Sequence, residues 1–340
     1  MTLRRSWGVA LSLSLAGALL FQACSRKKPA EINPIEPSIS FSRTRVPLGS
    51  AVEVTYTWKL DPAAKKLAQD HRAMVHVLDS HEAILFAADH TPVPPVTEWV
   101  PGQTYTYTRT LFVPLYSYVG PAEVRMGLFS STGRGERVAL KGQDVGMSEI
   151  RVGQIELLPQ TENIFLVEKE GWHGPETSAS SPGQERTWTK KEALVSFKNP
   201  KKDVIVYLEA DTNFKAFSQP PVLTVSVGGG ASGLQIPIED SEIFLKKIRF
   251  KAADLGDGEW VDLRLAMSES FVPKAKGLNN DERELALLVY NLFVGTAEQL
   301  GQVAQIQEAG PLATPSPAPA DAKGGKPAPA AKPAAPAKKP

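Results

Sequence analysis

The stretch "DSHEAILFAADHTP" (79–92), with His76 just before it and His71 further back, is the densest gathering of metal-type ligands in the chain. Imidazoles and carboxylates this close in sequence could bind a first-row metal ion. The local pattern argues otherwise. His76 falls in the alternating segment "MVHVLD", whereas His81 sits with Asp79 and Ser80 in a hairpin-turn context. Asp89 and His90 lead into a proline-rich loop where aspartate suits an Asx-turn. The reading is turn chemistry and no metal. Other motifs fail on spacing. Ser232 in "VGGGASGLQ" lacks the G-x-S-x-G order of a nucleophile elbow, and the glycine run lacks the Gly-Lys-Ser/Thr ending of a P-loop. "DLGDGEW" resembles a calcium loop only loosely, and Asp257-Gly258 reads as a hairpin turn. Acidic residues are plentiful, but nothing singles out a glycosidase pair. The expectation is a non-enzymatic protein with no catalytic residue and no cofactor.

Aromatic residues offer a second chemistry, since sugar faces stack on indole rings. Trp58 lies on a patterned strand and reads as core. Trp99 occupies the loop "PPVTEWVPGQ" and is a candidate cap or ligand contact. Trp172 and His173 in "EGWHGPE", and Trp188 in "ERTWTKKEA", flank a glycine- and serine-rich loop at 174–184. Recognition commonly sits on loops held by rigid sheets. Trp172, His173, Trp188 and Trp99 are therefore the candidate ligand-binding residues, with packing into the sandwich as the alternative reading for each tryptophan.

These residues must be held by something, and the chain organises itself from its ends inward. Cys24 is its single cysteine, so it makes no internal disulfide. Arg4 and Arg5 precede an apolar stretch at 7–21, which is short for a bilayer span but suits a cleaved signal. "LLFQACSRKK" (19–28) resembles the lipobox of bacterial lipoproteins. Leu20, Ala23 and Cys24 match that pattern, while Phe21 and Gln22 depart from it. The resemblance implies that residues 1–23 are removed and that Cys24 is lipidated. Acyl chains would then hold the protein to the bacterial membrane, facing the periplasm or cell exterior. Residues 24–37 read as a lipid-anchored tether and 311–340, rich in Pro, Ala and Lys, as a disordered tail. A net charge of +1 gives no field for nucleic acid.

Between the tethers, period-2 patterns predict strands, as in "AVEVTYTWKL", "TYTYTRTLFV", "DVIVYLEA" and "VLTVSVGG". Residues 61–72 could hold a helical turn or two, and "TAEQLGQVAQIQEAG" a short closing helix. The fold class is all-β, with two antiparallel β-sandwich domains, Ig-like or jelly-roll-like, at 38–157 and 158–310. The motif order "VPLGSAVEVTYTWKL", "HVLDSHEAILFAADHTPVPPVTEWVPGQ" and "GPAEVRMGLFSSTGRGERVAL" resembles a module attached to bacterial membrane glycosyltransferases of the dolichyl-phosphate-mannose type. The second half, from "EKEGWHGPETSASSPGQERTW" to "NNDERELALLVYNLFV", is similar to another sandwich module found with such enzymes. The resemblance implies two sandwich modules and imports no transferase, because the membrane helices that carry glycosyl transfer have no counterpart in these residues. The expected role is binding or assembly at the cell envelope, with a glycan or an envelope protein as partner. An envelope hydrolase or a structural subunit are the alternatives.

Overall fold

The structure is a computed structural model that describes residues 31–115, 118–132, 135–160, 166–178, 181–301 and 303–312, the side chains of 178 and 181–184 excepted. The signal segment, Cys24 and nearly all of the tail lie outside the described residues. The chain divides into two compact units, at Thr161 and Glu162. Both are built from strands, as the alternating patterns require.

The first unit has eight strands: β1 (Ile35–Phe41), β2 (Arg45–Pro47), β3 (Ala51–Leu60), β4 (His71–Leu78), β5 (Ile84–Ala87), β6 (Thr104–Phe112), β7 (Gly120–Ser130) and β8 (Ile150–Leu158). They form a three-stranded sheet in the order β1-β3-β6 and a five-stranded sheet in the order β2-β8-β7-β4-β5. All pairs are antiparallel except β2 with β8. The two inner faces share one core. Val54, Tyr56 and Trp58 of β3 meet Val75 and Val77 of β4, with Val124, Met126 and Leu128 of β7. Successive side chains of a strand point to opposite faces, so this alternation creates the apolar layer. Removing each such side chain from water is worth roughly 1.5–3 kcal/mol.

The second unit has twelve strands: β9 (Leu166–Glu168), β10 (Glu176–Ser178), β11 (Ser181–Trp188), β12 (Glu192–Lys198), β13 (Val204–Asp211), β14 (Val222–Val227), β15 (Ser232–Pro237), β16 (Phe244–Phe250), β17 (Trp260–Met267), β18 (Leu288–Thr296), β19 (Ile306–Glu308) and β20 (Gly310–Pro311). Two six-stranded sheets result, β10-β11-β18-β13-β16-β19 and β20-β15-β14-β17-β12-β9. Their shared core includes Val206 and Leu208 of β13, Leu223 and Val225 of β14, and Leu263 and Leu265 of β17.

Several expectations change. The first sandwich begins inside the segment read as tether: Ile35 is fully buried, and the Asn33 amide donates to the Ala139 carbonyl. One apolar residue in the right register suffices there, with Glu36 paired outward to Lys141. Residues 61–72 form turns and the start of β4 rather than helix. The closing segment makes one helical turn, Ala297–Leu300, capped by Thr296 and ended by Gly301 at φ 67°. Its remainder becomes β19, because Ile306–Glu308 finds a parallel partner in β16. Asp89 makes no Asx-turn; its carboxylate accepts the Val75 amide across the sheet at 2.9 Å.

Candidate functional site

The histidines of the first unit go to separate places. His81 sits at the turn built by Asp79, whose carboxylate accepts the His81 and Ala83 amides at 2.8 and 2.9 Å. His71 meets the Gln69 carbonyl. His76 lies on β4 with its ring 3.3 Å from the Glu149 carboxylate. Glu149 in turn pairs with Arg137 at 2.9 Å, while Glu123 takes Arg125 and Arg151 at 2.6 Å each. Burial alone would raise the Glu123 carboxyl, but the two guanidinium groups hold it below its usual range. His90 points into the core. Among the described residues no three His, Cys, Asp or Glu side chains converge as metal ligands.

The core around His90 is an aromatic network. Trp58 Nε1–H donates to the Tyr107 hydroxyl at 3.3 Å, that hydroxyl donates to His90 Nε2 at 2.8 Å, and His90 Nδ1–H donates to the Ala88 carbonyl at 2.8 Å. Each donor thus finds an acceptor with the imidazole neutral. Burial pushes the His90 pKa down to about 4 and the Tyr107 pKa up to about 12. Trp99 belongs to the same core. It is only 2% exposed, its ring stacks on Tyr105 at 5.4 Å and lies 5.5 Å from Trp58, and its Nε1–H donates to the Pro94 carbonyl. Trp99 therefore offers no open face to a sugar. Of the two readings of this loop tryptophan, cap or ligand contact, the burial matches the cap, since the loop folds the indole into the core.

The second unit holds a cleft with an aromatic wall. At one side of its sandwich an open cleft of about 550 Å³ separates β9 and β12 of one sheet from β11 and β18 of the other. Leu166, Glu168 and Trp172 line it together with Glu185, Arg186 and Tyr290. Gly171 places the tryptophan. Its φ of 83° is left-handed, and a Cβ there would collide with the Glu192 carbonyl oxygen. Only glycine lets the backbone approach β12 this closely. Trp172 is then fixed by its Nε1–H, which donates to the Leu194 carbonyl at 2.8 Å. On the other wall the Tyr290 hydroxyl donates to Asp211 at 2.9 Å, with Arg186 beside both. Burial raises the Asp211 and Tyr290 pKa values, and desolvation at the cleft wall also raises the Glu168 carboxyl. Arg186 Nε is buried and finds no hydrogen-bond partner among the described residues. Glu168 and Glu185 stand on strands of opposite sheets.

The other two candidates on this unit are placed elsewhere. His173 is half-buried, and its Nε2–H donates to the Glu284 carbonyl at 2.7 Å, fixing the tautomer. Trp188 packs edge-on against Phe271 at 6.0 Å, in a small cluster with Ala216, Phe217 and Leu285, and does not line the cleft. The segment read as a loop at 174–184 contains the β10–β11 hairpin. Arg283 secures that hairpin by bonding Glu176 at 2.6 Å and Asp281 at 2.7 Å. Glu168, Glu185, Arg186 and Tyr290 were not legible in the sequence, because only the sheet topology brings them together.

No family model and no curated protein matches the chain. Among solved structures it is similar in part to a Bacteroides uniformis β-glucuronidase, at 10% identity and a TM-score of 0.27, covering 77% of this chain and 30% of that one. It is also similar to the M60 catalytic domain with the CBM51-1 and CBM51-2 domains of Clostridium perfringens ZmpB, at 9% identity and a TM-score of 0.23, covering 73% of this chain and 34% of that one. A third is the Salmonella enterica SafA pilin in complex with the SafB chaperone, at 14% identity and a TM-score of 0.17, covering 61% and 82%. The chain spans only about a third of the length of the first two.

Proposed function

We propose that this chain is an exported, lipid-anchored envelope protein that binds glycan in the Trp172 cleft of its second unit. The observation that carries the reading is the cleft itself. It joins a tryptophan held in place by Gly171 and Leu194 to polar groups of both signs, Glu168, Glu185 and Arg186. A sugar ring needs an apolar face to stack on and charged or hydroxyl groups to fix its own hydroxyls. The anchor rests on the lipobox-like segment at Cys24. The test is a pull-down and array of envelope glycans with the chain and its Arg186→Ala and Tyr290→Phe variants. Binding by the chain that weakens at least tenfold in Arg186→Ala, with folding intact, is expected. Binding that ignores both variants moves the ligand elsewhere.

A second reading, a glycan hydrolase, is favoured by one observation: Glu168 and Glu185 face the cleft from opposite sheets, with Glu168 raised by desolvation. A raised carboxyl is the form a general acid needs. Release of reducing sugar by the chain, lost in both Glu168→Gln and Glu185→Gln, would establish it over simple binding.

A further inference from the structure

The two sandwiches leave eight strands at sheet edges among the described residues, and seven are guarded. β2, β9, β10 and β19 are three residues long, β20 two, and β5 four beside a bulge in its pairing with β4. β1 carries Pro37, and its Ile35 carbonyl is taken by the Lys141 amide. Short length, proline and bulges are the devices by which proteins blunt sheet edges. The eighth, β6, has none of them. "TYTYTRTLF" runs for nine residues without proline, lysine or bulge, in unbroken register with β3 from Phe112 to Thr104.

Its open side follows from its hydrogen bonds. The Val113 amide donates to the Ser50 carbonyl, and the Gln103 carbonyl accepts the Leu60 amide. Residues of odd number therefore bond towards β3, and antiparallel alternation turns the N–H and C=O groups of Thr104, Thr106, Thr108 and Thr110 outward. Among the described residues β6 pairs only with β3.

We propose that β6 pairs antiparallel with β6 of a second copy of this chain, about a two-fold axis at Tyr107. The occupant follows from the strand's self-complementarity. With the axis there, Thr104 meets the partner's Thr110 and Thr106 meets the partner's Thr108, so the four outward threonines pair. The only charge on the strand, Arg109, stands opposite the partner's Tyr105, and the like-charge clash of a register centred on Arg109 is avoided. The hydroxyl rows fit as well. Thr57–Thr106 at 3.2 Å and Thr55–Thr108 at 2.9 Å are exposed. Each continues across the axis, as Thr57–Thr106 into the partner's Thr108 and Thr55. The two three-stranded sheets merge into one of six strands, an isologous contact.

The test is sedimentation equilibrium of the full chain in density-matched detergent, beside its Thr108→Pro and Thr108→Val variants. Proline at an outward N–H removes a donor facing the partner and leaves the β3 ladder intact. A concentration-dependent dimer in the chain and in Thr108→Val, shifted to monomer in Thr108→Pro, is expected. Residue-level hydrogen exchange covers the case in which the proline variant unfolds. The amides of Thr104, Thr106, Thr108 and Thr110 should slow as the chain is concentrated, with their odd-numbered neighbours unchanged. A monomer at all concentrations, or a dimer whose even-numbered amides exchange no more slowly, overturns the proposal.

Discussion

Replacing Tyr107 by Phe removes one oxygen from the core of the first unit and breaks two hydrogen bonds. The hydroxyl receives Trp58 Nε1–H at 3.3 Å and donates to His90 Nε2 at 2.8 Å. Trp58 is fully buried and His90 is 5% exposed, so neither group recovers water without distortion. An orphaned buried donor or acceptor costs about 1–3 kcal/mol. The bond to Trp58 is long, so the pair together should cost about 2–4 kcal/mol at neutral pH. His90 titrates at about 4 in the folded chain, against 6.5 for the free side chain. Its neutral form therefore contributes stability that is complete above pH 6.5 and is lost as pH falls through the window down to about 4. The difference of about 2.5 units corresponds to roughly 3 kcal/mol. The Tyr107 hydroxyl bonds the neutral imidazole, so removing it raises the His90 pKa and flattens that slope. Calorimetry of the full chain reads this directly, with the second unit's transition as internal control. The variant's first-unit transition should fall clearly below the wild type's above pH 7 and approach it as the pH nears 4.5. Equal losses at every pH, or none, would refute the hydrogen-bond chain.

Further consequences can be checked alongside. Trp99→Ala should cost roughly 3–5 kcal/mol in the first unit, as large-to-small core changes do, and leave glycan binding by the second unit unchanged. Gly171→Ala forces a Cβ against the Glu192 carbonyl at a left-handed φ, so it should lower the second-unit transition and weaken binding at the cleft together. Arg283→Ala frees Glu176, and the β10 amides should exchange faster while global stability changes by less than about 1 kcal/mol. Hydrogen bonds from Arg283 hold Asp281 at about 2, so acid should release this clamp only as pH falls from the ordinary aspartate range towards that value. The same β10 exchange measured across that range reports it.

The sandwich class was legible because burial on one face writes period-2 alternation into the sequence. β3 was readable to the residue, Ala51–Leu60, and β13 and β14 nearly so. β1 escaped because Glu36 and Pro37 interrupt the apolar face of Ile35, Ile39 and Phe41, and β5 because four residues carry too little pattern. β19 is strand only through its distant partner β16, although its local sequence allows helix. The site was half legible. Trp172 was visible as an aromatic beside a glycine turn. Arg186 and Tyr290 come together through the pairing of β11 with β18, and residues so far apart leave no local trace. Trp99 stayed open between cap and ligand contact, because a loop position says nothing about which way the ring folds.

Whether the Trp172 cleft takes a glycan is read within a single spectrum from the tryptophan indole signals. Outside the signal-like segment, which carries Trp7, the tryptophans Trp58, Trp99, Trp172, Trp188 and Trp260 each contribute an Nε1–H resonance, and Trp172 alone of these lines the cleft. On titration with soluble fragments of envelope glycan, the Trp172 resonance should shift progressively to saturation while those of Trp58 and Trp99, closed in the first core, stay fixed. A titration that saturates binding while leaving Trp172 unmoved, or one in which no fragment moves any indole, would contradict the assignment.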